Sequence, residues 1–349
     1  MPSVILPRTV AMLLACAPLL ARAGVLQSGD GTETQEVVGE MAPAPATPAG
    51  IRRDDITEIV IQAPEPRYVA PTRRDQIGRI WAPVRINGKG PFRLVLDTGA
   101  SGSGVIARVA KVLGLVPDTS APVRLQAVTG AATVPTINVD SLAIGDLQIG
   151  DARLPLIPDA LGGAEGVLGN EGFTDRRVYI DFHHDFISIT RSHNQRAEPG
   201  FVTVPFSLDH GRLLVVNTEL DGVRAKAIID TGGEISVGNL ALRDALLRRR
   251  GKGPASVESI EGVTTDIQTG EGRKGSPIEF GPFKLLLPRM TFADVRIFEY
   301  WKLTSKPALL IGMDVLGLLD TLIIDYRRCE LQLRLPTDRP VARTTVKDP

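Results

Sequence analysis

The chain contains the same pattern twice, and this duplication limits its fold more than any other feature. Ile86-Asn87-Gly88 is followed by Phe92-Arg-Leu-Val-Leu-Asp97-Thr98-Gly99, and Leu220-Asp221-Gly222 by Ala225-Lys-Ala-Ile-Ile-Asp230-Thr231-Gly232. Asn-Gly and Asp-Gly suit two-residue hairpin turns, because both central residues need positive φ. Each turn leads into an apolar strand that ends in Asp-Thr-Gly. The register holds further on. Helices are predicted over 105–115 and 239–250, with Gly114 and Gly251 at their ends. Val128-Thr129-Gly130 and Val263-Thr264-Thr265 each lie in a Gly- and Thr-rich hairpin. Ala143-Ile-Gly145 matches Glu279-Phe-Gly281, and Val167-Leu168-Gly169 matches Leu310-Ile311-Gly312. Val178-Tyr-Ile-Asp181-Phe and Leu322-Ile-Ile-Asp325-Tyr close the two copies. Chance alone gives Asp-Thr-Gly about 0.1 times in a chain of this length, so two copies in register are a strong signal.

Composition agrees with a strand-and-turn architecture. Among 349 residues there are 35 Gly and 26 Pro, enough turns to favour short strands over long helices. Lys and Arg total 40, as do Asp and Glu, so there is no basic excess to bind nucleic acid. Cys16 and Cys329 are too few for a disulfide framework or a cysteine-ligated zinc site. The expected fold is β-rich with few short helices, as two homologous lobes spanning 77–198 and 199–337.

The ends read differently. Residues 1–23 have one positive charge near the start, an apolar run from Thr9 to Leu20 and a small-x-small site at Ala21-Arg22-Ala23. This is the pattern of a secretory signal peptide, too short to span a bilayer, and it predicts an exported periplasmic or secreted protein. A lipid anchor at Cys16 is the less favoured alternative, because the apolar run continues past it. The Ala- and Pro-rich segment 24–76 reads as a linker or pro-segment, with Ile56–Gln62 as one candidate strand. Residues 338–349 read as a tail.

The chemistry follows from the duplication. If the lobes pack about a two-fold axis, Asp97 and Asp230 meet on it. Two full charges about 3 Å apart at an effective dielectric near 20 repel by about 5 kcal/mol. The pair then shares one proton, so that one carboxylate activates water and the other acid hydrogen-bonds a substrate carbonyl. No covalent intermediate, metal or cofactor is needed. Gly99 and Gly232 allow close backbone approach, and Thr98 and Thr231 can each turn a hydroxyl toward the opposite loop.

The paired Asp-Thr-Gly loops resemble the aspartic proteases, specifically the retropepsin-like group of bacteria. The segment from Phe92 through Ser101 to Leu115 looks like one such unit, and residues 212–316 look like a second, more divergent one. The resemblance implies an all-β, bilobed, pseudo-two-fold β-barrel architecture that cleaves an extended polypeptide lying under hairpin flaps. It maps the catalytic pair to Asp97 and Asp230. It maps the flap tips to Thr129, Gly130 and Ala131, and to Val263, Thr264 and Thr265 with Asp266. Two fused units imply a monomer. Ala100 and Gly233 stand where pepsin-like relatives carry Ser or Thr, which predicts a raised dyad pKa and activity nearer neutral pH. Glu234 stands where Ser is usual, and either raises that pKa further or points to solvent. The alternative function is a peptide-binding module that keeps the cleft and has lost turnover.

Other signals carry less. Gly270-Glu-Gly272-Arg-Lys-Gly275 matches a dinucleotide fingerprint but lacks a βαβ context. His183-His184-Asp185 reads as a surface turn rather than a metal site. Arg248–Arg250 suits a helix C-terminus. Phe298, Tyr300 and Trp301 read as core, and Asp181 and Asp325 as structural.

Overall fold

A computed structural model describes residues 70–71, 78–145, 147–280, 283–287 and 289–336. The signal-peptide and tail assignments, most of the linker, the Ile56–Gln62 strand and Cys16 lie outside these residues. The described residues fall in one compact unit. They form three sheets and four short helices, an all-β fold.

The two lobes carry the same strand order. In the first it runs Asp118–Gln126, Ala131–Val139, Ala152–Ile157, Gly104–Ile106, Gly166–Leu168, Lys89–Leu96, Trp81–Ile86, Leu142–Ile144, Leu147–Ile149. In the second it runs Ala255–Glu261, Ile267–Lys274, Arg289–Phe292, Val237–Gly238, Ala308–Ile311, Val223–Ile229, Leu213–Leu220, Pro277–Phe280, Phe283–Leu286. Each of these positions has its counterpart, and the second lobe adds Ser207–Asp209 paired antiparallel with Leu213–Leu220. The third sheet joins the lobes, with Arg176–Asp181 of the first pairing antiparallel with Thr321–Asp325 of the second. Its six strands are arranged symmetrically about that central pair, which marks the pseudo-two-fold axis.

Local chemistry explains the elements. Asn87 (φ 49°) and Gly88 (φ 72°) make the first hairpin turn, and Asp221 (φ 46°) and Gly222 (φ 76°) the second. The strands that follow each turn are buried at their ends, Leu94 to Leu96 and Ala227 to Ile229. Each lies parallel to a short apolar strand: Leu96 opposite Leu168, and Ile229 opposite Ile311.

The helix predicted over 105–115 is shorter, Ala107–Leu113. Val105 and Ile106 instead extend a strand, because both pair with neighbouring strands and are fully buried. Gly114 ends this helix in the left-handed conformation, φ 76°. The second helix is Leu240–Arg250, with Asn239 as N-cap and Gly251 just past its end. Within the predicted linker, Ala70–Pro71 pairs with Phe186 and Ile187 at the edge of the inter-lobe sheet.

Candidate active site

The loops after Leu96 and Ile229 bring the two Asp-Thr-Gly triplets together. Each Asp is anchored through its own backbone: Asp97 N–H donates to the Leu168 carbonyl (3.0 Å) and Asp230 N–H to Ile311 (2.9 Å). Gly169 and Gly312 close the apolar segments behind them. A Cβ at Gly169 would strike the Gly102 backbone, and one at Gly312 the Ile235 backbone.

Thr98 and Thr231 clasp the loops reciprocally. The Thr98 hydroxyl donates to the Ile229 carbonyl (2.7 Å) and accepts from Thr231 N–H (3.1 Å). The Thr231 hydroxyl donates to the Leu96 carbonyl (2.7 Å) and accepts from Thr98 N–H (3.1 Å). Four buried hydrogen bonds thus cross between lobes, each worth about 1 kcal/mol net. Their larger effect is geometric, since neither loop can move without the other.

The carboxyls lie within this clasp. Asp97 Oδ1 accepts from Gly99 N–H (2.8 Å), and Asp230 Oδ1 from Gly232 and Gly233 N–H (3.0 Å each). The Asp97 Oδ2 atom is buried and has no hydrogen-bond partner, while the Asp230 carboxyl lies close enough to act on the Asp97 carboxyl. Gly232 lies directly against Asp97, so a Cβ there would collide with its carboxyl group. Asp97 is 0% exposed and Asp230 2%.

Burial sets the titration. It pushes the Asp97 pKa up to about 7, against the opposing pull of the Gly99 N–H, the Asp230 carboxyl and the Arg79 charge. Burial, followed by the Asp97 charge, pushes Asp230 well above the usual carboxylate range, while the Gly232 and Gly233 N–H groups pull it down. Glu234 is half-buried and is not among the leading influences on either carboxyl.

The two hairpin tips also meet. Thr129 and Gly130 are buried, Val263 is buried, Ala131 and Thr264 are half-buried and Thr265 is exposed. A Cβ at Gly130 would fall on the Asp266 carboxylate, and one at Gly262 on the Thr129 hydroxyl. Val128 packs in an apolar cluster of the second lobe with Ile260, Val295, Ile297 and Phe298, and its carbonyl accepts from Ile297 N–H (3.2 Å).

Sequence reasoning overlooked two supporting pairs. Gly169 N–H donates to the Ser103 hydroxyl (3.0 Å), and Ser103 N–H to Glu171 (2.6 Å). In the second lobe Gly312 N–H donates to the Ser236 hydroxyl (3.1 Å). The N–H and hydroxyl of Ser236 donate to the two oxygens of Asp314 (3.0 and 2.7 Å). The repeat held the clue: a serine lies six residues after each Asp, and an acid two residues after each closing Gly.

The remaining sequence signals also have places in the structure. Asp325 is buried and accepts from Ser192 (2.7 Å), the Arg328 N–H (3.1 Å) and Arg177 (3.3 Å). Asp181 accepts the N–H groups of His183 and His184, fixing a surface turn. Gly270 and Gly272 lie within strand Ile267–Lys274, with no helix following. Phe298 and Trp301 are core, whereas Tyr300 is exposed. Among the described residues no group of three His, Cys, Asp or Glu side chains is arranged to hold a metal, and no helix is long and apolar enough to cross a membrane.

Comparison with known proteins matches residues 82–171 to a family described as aspartyl protease. The matched span contains Asp97-Thr98-Gly99 and Val167-Leu168-Gly169. At this coarse level the match supports an aspartic-protease family and a peptide-cleaving hydrolase. No curated protein matches the chain.

Proposed function

We propose that the protein is an aspartic endopeptidase whose single site takes one catalytic carboxyl from each lobe. The carrying observation is the reciprocal Thr98–Thr231 clasp, which holds the Asp97 and Asp230 carboxyls against each other about the pseudo-two-fold axis. With one proton between them, the ionised carboxyl takes a proton from water as that water adds to the scissile carbonyl. The protonated carboxyl hydrogen-bonds the carbonyl oxygen and gives up its proton as the tetrahedral species forms. Collapse returns a proton to the leaving amine, and no covalent enzyme intermediate is formed. Thr98, Gly99, Thr231 and Gly232 hold the dyad. The tips around Thr129–Ala131 and Val263–Thr265 act as flaps that lift to admit an extended polypeptide, because both carboxyls are buried when the tips are in contact. We further propose that the enzyme is exported and acts as a monomer.

The test is incubation of the purified protein with an unfolded polypeptide across pH 3 to 8, followed by mass analysis. Complementary fragments that together exceed the parent by one water are expected. Glu234, which stands beside the second triplet where the first lobe has Ser101, favours one second reading, a peptide-binding module without turnover. Retention of an intact peptide with no fragments at any pH supports that reading and contradicts the endopeptidase.

A further inference from the structure

The two lobes differ at one buried position next to the dyad. Asn170 N–H donates to the Ala100 carbonyl (2.9 Å), and Met313 N–H donates to the Gly233 carbonyl (2.8 Å), so the two residues occupy equivalent places. Their side chains diverge. Asn170 is fully buried, and its Nδ2 donates to the Thr98 carbonyl (2.7 Å) and more weakly to the Arg212 carbonyl (3.3 Å). Its Oδ1 accepts from the Tyr326 hydroxyl (2.7 Å). Tyr326 follows Asp325 of the second lobe, where the first lobe has Phe182 after Asp181. Its ring packs against Phe173 (5.5 Å) and Phe206 (6.1 Å). Burial raises its pKa, so the hydroxyl stays neutral and remains a donor. That donor fixes the Asn170 amide with its oxygen toward Tyr326 and its nitrogen toward Thr98.

The Thr98 carbonyl and the Gly99 N–H belong to one peptide group, and that N–H donates to Asp97 Oδ1 (2.8 Å). A hydrogen bond to the carbonyl fixes the peptide plane and polarises its N–H into a stronger donor. A stronger donor favours the charged carboxylate. In the second lobe Gly232 and Gly233 N–H both reach Asp230 (3.0 Å each), but the methionine at 313 has no group to donate to the Thr231 carbonyl and polarise the Gly232 N–H from behind.

We propose that Asn170 and Tyr326 are positioning residues that act through the Thr98–Gly99 peptide to hold the dyad's negative charge on Asp97, making Asp97 the base and Asp230 the acid. The assignment rests on the endopeptidase reading. The charged groups that face this arrangement are Asp230 across the axis, Arg79 on Asp97 from ahead of strand Trp81–Ile86, and Arg212 on Tyr326 and Glu171. Arg79 acts on Asp97 in the same sense as the relay.

The test uses Asn170→Met, which copies the second lobe, and Tyr326→Phe, which copies Phe182 of the first. The kcat and KM on a peptide substrate are measured across pH, together with the carboxyl 13C titration of labelled Asp97. Loss of one polarising hydrogen bond should lower kcat about tenfold on the acidic side at unchanged KM. The acidic limb and the Asp97 titration should both move upward by about one pH unit. Because the groups act in series, the double variant should be no worse than Asn170→Met alone. An unmoved limb with only a lowered melting temperature, or kcat losses that multiply in the double variant, would overturn the relay. If the wild type cleaves nothing, the endopeptidase reading fails separately. The relay is then decided by the Asp97 titration, which must still rise in Asn170→Met and contradicts the relay if unmoved.

Discussion

The two lobes share a backbone plan and differ in the side chains around it. Strand order, hairpin turns, the Thr clasp and the serine-to-acid supports all recur. The residues that flank and back the two Asp-Thr-Gly loops do not. Asp97 is followed by Ala100 and backed by Asn170, whereas Asp230 is followed by Gly233 and Glu234 and backed by Met313. Symmetry therefore brings two carboxyls to one place, and the departures from symmetry make them unequal. A pair that shares one proton needs both properties: proximity to couple the groups, and a bias to decide which of them ionises.

The comparison can be broken most severely at the carboxyls. Asp97→Asn and Asp230→Asn should each abolish peptide cleavage, a loss of about a thousandfold or more, because in the proposed mechanism neither lobe supplies both base and acid. Fragment release from an unfolded substrate measures this, and equal loss from either lobe is the expected result. Next comes Gly232→Ala, whose new methyl group would collide with the Asp97 carboxyl across the axis. It should cost about 2–4 kcal/mol of stability, read by denaturant unfolding, and most of the activity.

The pH dependence gives a subtler test. Asp97 and Asp230 both ionise above the ordinary carboxylate range. A buried carboxyl with a raised pKa stabilises the fold fully below its unfolded value near 3.8, and that contribution is lost as pH rises through about 7. Asp97→Asn should therefore raise the melting temperature relative to wild type at pH 7.5, and by less at pH 4. Cleavage by the wild type should rise through neutral pH as Asp97 ionises, and a sharp optimum well below pH 4 would contradict this. The smallest effect separates the two supports. Asp314 accepts two hydrogen bonds from Ser236, and Asp314→Asn loses one acceptor at a cost of about 1–2 kcal/mol. Glu171 has one oxygen with no partner, so Glu171→Gln should cost less than about 0.5 kcal/mol by thermal unfolding.

Much of this architecture is legible in the sequence because it is local or repeated. The Asn87-Gly88 and Asp221-Gly222 turns declare themselves through their need for positive φ. The second helix, expected over 239–250, runs Leu240–Arg250 with Gly251 just past its end, and the Asn239 side chain accepts from Leu242 N–H (2.8 Å) at its start. The start of the first helix is not legible, because Val105 and Ile106 suit a helix and a buried strand equally, and sheet pairing decides between them. The Asn170–Tyr326 contact joins residues far apart in the chain, and only the mismatch of each with its counterpart hints at it. The meeting of Gly130 with Asp266 depends on how the lobes close, which no local pattern encodes.

The central claim is that Asp97 and Asp230 form one ionising unit. Its most direct test is the carboxyl titration of Asp230, followed by NMR in the wild type and in Asp97→Asn. The Asp97 charge helps to hold the Asp230 pKa up. Removing that charge should lower the Asp230 pKa by at least about one unit. An Asp230 titration that is the same in both proteins would mean that the two carboxyls ionise independently, and would contradict the account.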